Sequence, residues 1–254
     1  MSTWAVRRKL QYGGGAIAFL IMIIAIPVFL SLHKSPTCFD GDKNGNELGI
    51  DCGGSCVNIC GITVRPLVVE WSRALNVSKG IYSVVAYVEN LNTDIGAKDT
   101  QYVFKVYDEN NILITERFGK TEIPADRVFP IFESDIRTGE RVPARTFFEF
   151  IDEPEWVDGL VFDASEDVIV TSRRITGEDT EPRLDVVIEN TSLRDISDII
   201  THAVLFDSDG NAVAASKIVL KFLSRGEEKK LTFTWPLPFD RSIAKIEVHV
   251  TVAL

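Results

Sequence analysis

The sequence predicts an all-β protein carried on one N-terminal transmembrane helix, with two tandem β-sandwiches after it. Three observations predict this. A charge-free apolar run extends from Ala16 to Leu32. Beyond Cys60, short runs of alternating apolar residues lie between turn signals, with no stripe of helical period. The second half of the chain repeats the first at a spacing of about 100 residues, which suits tandem sandwiches and not a solenoid. The implied boundaries are 1–12 for a cytoplasmic N-terminus, 13–33 for the membrane helix, 34–61 for a cysteine-rich neck, 62–165 for the first sandwich and 166–254 for the second.

The membrane segment follows from length and charge. With Gly13-Gly14-Gly15 the apolar run is about 20 residues, enough helix to cross a hydrocarbon core about 30 Å thick. A backbone in lipid must satisfy its own hydrogen bonds, so the segment has to be helical there. Pro27 implies a mild kink, and the three glycines imply a flexible hinge. A cleaved signal peptide would have a shorter apolar core and small residues ahead of the cut, whereas Phe29-Leu30-Ser31-Leu32 is bulky. Arg7, Arg8 and Lys9 precede the run and are expected to stay cytoplasmic, which places everything after Leu32 outside.

Composition narrows the function classes. The chain has 27 Lys+Arg against 37 Asp+Glu, a net charge of −10. Four of those basic residues lie in the first 37 positions, which contain no acid, so the remainder has 23 against 37. An acidic surface of this size repels nucleic acid and anionic lipid. With only three histidines (His33, His202 and His249), little material exists for a histidine-based active site.

All four cysteines, Cys38, Cys52, Cys56 and Cys60, fall within the neck. An even number outside the cytoplasm reads as disulfides, and three connectivities are open. A Cys₄ zinc site is disfavoured because the paired C-x₂-C spacing of zinc ribbons is missing. Between the first two cysteines, Asp40, Asp42 and Asn44 alternate, Gly45 follows, Asn46 comes next and Asp51 closes the series. The string resembles the start of an EF-hand-type loop, so Ca²⁺ is the one cofactor the sequence suggests, with these five residues as ligands. It departs from that loop in ending on Asp51 instead of Glu, in placing Glu47 at an apolar position and in lacking flanking helices. The competing reading is a disulfide-stapled turn. The string Asp40-Gly41…Asn44…Glu47-Leu48-Gly49-Ile50-Asp51-Cys52-Gly53-Gly54-Ser55-Cys56 is also similar to a DG-x-x-N-x-x-E-x-G-x-DCGG-x-C motif of secreted and surface proteins, often found beside β-sandwich modules.

In the β region, Tyr82, Val84, Ala86 and Val88 are expected on one face of a strand and Val85 and Tyr87 on the other. Three repeat matches are apparent. Val84–Asn90 matches Leu184–Asn190, and Phe104–Asn111 matches Ala203–Asn211. Thr138-Gly139-Glu140 before Phe147, Phe148 and Phe150 matches Arg225-Gly226-Glu227 before Leu231, Phe233 and Trp235. The third pair is nearer 87 residues apart, which predicts that the second copy lacks the stretch around Pro124–Asp135. Glu-Asn is expected to end a strand through a left-handed asparagine, and Asp-x-x-Asn to form a hairpin tip. The string Phe104-Lys105-Val106-Tyr107-Asp108 resembles the signature of FxLYD-type domains, small Ig-like sandwiches of bacterial and archaeal surface proteins. Val88–Asn92 is similar to LEA14-like sandwiches, the second choice. Both resemblances imply a fold more than a function.

No Gly-x-Ser-x-Gly, His-Glu-x-x-His or phosphate loop occurs. His202 and His249 sit in predicted strands, His249 on an outer face. Asn76-Val77-Ser78 and Asn190-Thr191-Ser192 have the form of glycosylation sequons. The expectation is a non-enzymatic single-pass protein presenting interaction domains to a partner in the envelope. The alternative is an accessory subunit of a membrane secretion, pilus or transport complex.

Overall fold

The computed structural model describes residues 3–32, 36–56, 64–159 and 165–252. The chain divides into two compact units, Met1–Cys60 and Gly61–Leu254.

In the first unit one helix, α1, runs over Thr3–Leu32. Within it Arg7–Ile26 is long and apolar enough to cross a membrane, with a mean hydropathy of 1.7. The helix begins ten residues before the predicted Gly13, because Arg8, Lys9, Leu10 and Gln11 are all good helix formers. Gly13–Gly15 lie inside this helix and form no hinge. Each weakens it by up to about 1 kcal/mol relative to alanine, but the neighbours on both sides propagate it.

The second unit is all β. Its strands are β1 (Val68–Ser78), β2 (Ile81–Asn90), β3 (Ile95–Tyr107), β4 (Leu113–Ile123), β5 (Arg127–Arg137), β6 (Arg145–Phe150) and β7 (Glu155–Asp158), then β8 (Val168–Thr176), β9 (Arg183–Asn190), β10 (Ile196–Phe206), β11 (Ala212–Leu223), β12 (Glu228–Thr234) and β13 (Lys245–Val252). The first seven form two antiparallel sheets, β1-β2-β5 and β4-β3-β6, with β7 also on β3. The last six repeat the plan as β8-β9-β12 and β11-β10-β13. Each pair of sheets closes on its own core. Val84, Ala86, Val88, Phe104, Val106 and Ile123 fill the first. Leu184, Val186, Ile188, Ile199, Leu205 and Phe233 fill the second. Burying the Val, Leu, Ile and Phe side chains among them contributes about 1.5–3 kcal/mol each. The alternation expected in β2 holds, since Val85 and Tyr87 belong to a different apolar cluster from Val84, Ala86 and Val88.

Strand pairing corrects the repeat. Trp71 stands opposite Tyr87 as Ser172 stands opposite Val187. Val85 stands opposite Phe132 as Asp185 stands opposite Thr232. Arg145 stands opposite Tyr107 as Lys245 stands opposite Phe206. Equivalent residues therefore lie 99–101 positions apart throughout. The first two sequence matches agree with this register and the third does not. Arg225-Gly226-Glu227 leads into β12, the equivalent of β5, whereas Thr138-Gly139-Glu140 leads into β6, the equivalent of β13. Pro124–Asp135 is thus not missing from the second copy. It holds most of β5, and both sequences had Gly-Glu before an aromatic strand for unrelated reasons.

The strand-ending asparagines also differ from expectation. Neither Asn90 nor Asn190 is left-handed. Both are almost wholly buried and act as clamps. The Asn90 amide donates to the carbonyls of Ile95 and Pro124 at 2.8 and 2.9 Å, and its oxygen accepts from the Asn92 backbone. The Asn190 amide donates to Arg194, Leu223 and Ser224, and its oxygen accepts from Ser192. The left-handed residues are instead Asp126 (φ 48°) and Gly226 (φ 67°), at equivalent positions where the chain enters β5 and β12. Their N–H groups donate to Asn92 and Asn190 respectively.

Candidate functional site

The neck is built from short-range hydrogen bonds and covalent closure. Cys38 and Cys56 are joined, 18 residues apart, with Cα atoms 5.5 Å from each other. Closing a loop of this size restricts the unfolded chain by about 3 kcal/mol. Cys52 is disulfide-bonded as well. Cys60 lies outside the described residues.

Within the loop the acids of the motif face amide donors. The Asp51 carboxylate accepts from the Asp40 and Gly41 backbones, each at 2.9 Å. Asp40 accepts from the Asn44 side chain at 3.0 Å and from the Asp42 and Thr37 backbones. These three bonds, in that order of importance, hold its carboxyl below the usual range. Glu47 accepts from the backbones of Asn44 and Asp51 at 3.1 and 3.3 Å. A Cβ on Gly54 would come within 1.7 Å of the Asn46 carbonyl, so only glycine fits.

The predicted calcium ligands lie in this one short loop. Among the described residues, one trio of Asp, Glu, Cys or His ligand atoms lies within 4.8 Å of one another. It is Cys38, Glu47 and Cys56, and it includes both sulfurs of the disulfide. Asp40, Asp42 and Asp51 form no such set, and Asp40 and Asp51 turn their oxygens onto the loop's own amides. Asn44 serves through its side-chain amide and Asn46 packs its carbonyl against Gly54. The Asp40 and Asp51 carboxylates cap the turn, while Asn44 Oδ1 is buried and takes no hydrogen bond.

The hairpin tips are built alike. Asp108 accepts from the backbones of Asn110 and Ile112, and Asp207 from those of Asp209 and Asn211. In the second copy Arg241 also pairs with Asp207. The Asn211 backbone bond first, then Arg241, hold the Asp207 carboxyl down at about 2. Both strings form the predicted hairpin tips.

The largest feature that sequence reasoning missed is the contact between the sandwiches. The outer face of β1-β2-β5 packs against the outer face of β11-β10-β13. Leu75, Val85, Tyr87 and Phe132 meet Val204, Phe206, Ala212 and Ala215 in one buried cluster, with Trp71 against it. Trp71 stacks on Tyr87 at 4.5 Å, and Phe206 meets both rings edge-on. The Tyr87 hydroxyl donates to Glu247 at 2.7 Å and lies 3.3 Å from His249 Nε2. Burial, then the Glu247 carboxylate, push the Tyr87 phenol far up. His249 therefore stands on an outer face as predicted, but that face is covered. His202 is buried in the same junction, 9 % exposed. No sequence pattern flags such a contact, because alternation reports two faces and not what covers them.

Beside the junction a polar cleft of about 600 Å³ opens between β1, the β10–β11 hairpin and the β12–β13 loop. Arg73, Asn76, Asn211, Asp240 and Arg241 line it, with Trp235 and Phe239 behind. The two sequons differ. Asn76 is exposed, whereas the Asn190 amide is buried and fully engaged.

No protein-family model matches the chain, and no curated protein matches it. Among solved structures it is similar to a Bacteroides uniformis β-glucuronidase, with 11 % identity and a TM-score of 0.22 over 70 % of this chain and 27 % of that one. It is similar to the yeast δ-COP-I μ-homology domain complexed with a Dsl1 WxWxV peptide, at 12 % identity and a TM-score of 0.23 over 70 % and 76 %. Red sea bream transglutaminase gives 11 % and 0.23 over 76 % and 32 %. The chain thus spans about a quarter of the glucuronidase, and at TM-scores this low none of these proteins lends it a fold or an activity.

Proposed function

We propose that this is a single-pass membrane protein that holds two locked β-sandwiches outside the cytoplasm as one binding body for a protein partner in the envelope. The observation that carries the reading is the pairing of an apolar helix, charge-free after Lys9 and basic near its N-terminal end, with a strongly acidic all-β unit. Positive residues resist translocation, so Arg7, Arg8 and Lys9 favour an N-terminus inside. The aromatic junction supports a rigid body over two beads on a string.

Full-length protein tagged at both ends and digested with protease added to intact cells tests the topology. The C-terminal tag is expected to be lost and the N-terminal tag kept. A protected C-terminal tag overturns the reading, and so does a mature N-terminus near Lys34. Cross-linking in intact membranes then identifies the partner. Soluble or wall-bound partners support this reading, and membrane-embedded partners support an accessory subunit of a membrane complex.

A further inference from the structure

We propose that the junction between the sandwiches is a pH-sensitive joint: on mild acidification His202 takes up a proton between Lys217 and His249, and the β11-β10-β13 face lets go of β1-β2-β5.

The geometry is a row across one sheet. On the central strand β10, His202 stands opposite Lys217 of β11 on one side and opposite His249 of β13 on the other. Its ring lies 6.4 Å from that of Phe132, which comes from β5 of the first sandwich. The Nδ1 atom is buried and has no hydrogen-bond partner. In the neutral ring the unpartnered Nδ1 can be the acceptor, and an orphaned neutral group costs less than an orphaned charged one. A charged imidazolium has two N–H groups to satisfy, and here one would face an apolar wall beside a lysine.

The charges around the row favour release. Lys217 is fixed by its own contacts, donating to the Phe132 carbonyl at 3.5 Å with its ammonium 6.0 Å from the Phe132 ring. A cavity of about 220 Å³ joins His202 to the β3–β4 edge of the first sandwich, where Asp99, Lys120 and Glu122 stand. Asp99 is paired with Lys120 at 3.6 Å. Burial first, and then Asp99, raise the Glu122 carboxyl above its usual range, so Glu122 is a poor counterion. On the other side His249 has Glu247 at 3.2 Å, and Lys245 and Tyr87 bind that same carboxylate. Arg127 and Arg173 add positive potential at His249. A proton on His249 can therefore be held by Glu247, while a proton on His202 has no such partner.

The linkage has a definite sign. Burial, then Lys217 and His249, press the His202 imidazole down to about 3 in the closed joint. In an opened joint it returns to about 6.5. The closed form is thus fully favoured above about pH 6.5 and loses ground as pH falls. Each pH unit below that shifts the balance about tenfold toward the open form, or about thirtyfold by pH 5.

Full-length protein in nanodiscs, spin-labelled through non-natural residues at the exposed positions Glu109 and Ser208, tests this by inter-label distance. A narrow distribution is expected at pH 7.5, and at pH 5 an open fraction about thirtyfold larger that broadens it, with the change reversed on neutralisation. His202→Gln is expected to stay narrow at both. An unchanged wild-type distribution at pH 5 overturns the proposal, and so does a His202→Gln protein that broadens as the wild type does. If the variant fails to fold, the wild-type imidazole signals decide. A His202 resonance that titrates together with the broadening supports the joint, and broadening at a pH where His202 stays neutral overturns it.

Discussion

The two sandwiches are copies of one plan, yet they meet through non-equivalent sheets. The first uses β1-β2-β5, and the second uses β11-β10-β13, the equivalent of β4-β3-β6. Such a head-to-tail contact could in principle be repeated at both ends. The unused faces explain how that is discouraged. Where the first sandwich has Val85 and Phe132 at the junction, the second has Asp185 and Thr232, which hydrogen-bond at 2.8 Å while Asp185 pairs with Lys230 and Arg183. Where the second has Val204 and His249, the first has Lys105 and Glu149, joined as an ion pair. The positions of Val85, Phe132 and Val204 are apolar where a neighbour covers them, and their equivalents are hydrogen-bonded or ion-paired where water does, as in the terminal units of repeat proteins.

Breaking this contrast should have the largest effect where a solvent-face residue is moved to the junction. Val85→Asp gives the first sandwich the residue its copy carries, but under Phe206 and Val204. It is expected to cost about 3–5 kcal/mol, the scale of an uncompensated buried charge, and to split one calorimetric transition into two. Next come the clamps. Asn190→Ala leaves three carbonyls without their donor and is expected to lower stability by about 2–3 kcal/mol. Asn90→Ala, with two such carbonyls, should cost less, and urea midpoints check the order. Tyr87→Phe removes the donor to Glu247, a carboxylate that Lys245 still holds, so about 1 kcal/mol is expected from the same titration. In the opposite direction, Asp185→Val with Thr232→Phe gives the second sandwich a junction-like face. Its stability should change by less than about 1 kcal/mol, while sedimentation should reveal concentration-dependent association. The smallest effect expected is that of millimolar Ca²⁺ on the melting temperature of the full-length protein, namely none, because Asp40 and Asp51 already spend their oxygens on amides.

Much of this fold was legible. The alternation of Val84, Val85, Ala86 and Tyr87 assigned faces correctly, and the matches around Asn90/Asn190 and Asp108/Asp207 carried the right register. Those strings are readable because each is a local device, a clamp or an Asx-type tip, whose residues lie within a few positions of one another. The third match failed because Gly-Glu before an aromatic strand is a common solution to a turn, and only hydrogen-bond pairing tells which strand follows. The neck was read from the same acids that the structure uses, but an alternation of Asp and Asn does not say whether oxygens converge on a cation or diverge onto amides. The junction was illegible for a different reason. Trp71, Tyr87 and Phe206 are separated by up to 135 residues, and nothing in a strand's period records a partner at that range.

The Asn190 clamp has a consequence for how the protein can be made. Asn190-Thr191-Ser192 is an acceptor tripeptide for oligosaccharyltransferase, which acts on chains still emerging and unfolded. In the finished second sandwich the Asn190 amide gives its hydrogens to Arg194, Leu223 and Ser224 and has no room for a sugar. Attachment of a glycan before folding would therefore remove the donor that closes the β9–β10 turn. A eukaryotic secretory host should yield two populations from one transcript, a folded one bare at Asn190 and a misfolded one glycosylated there.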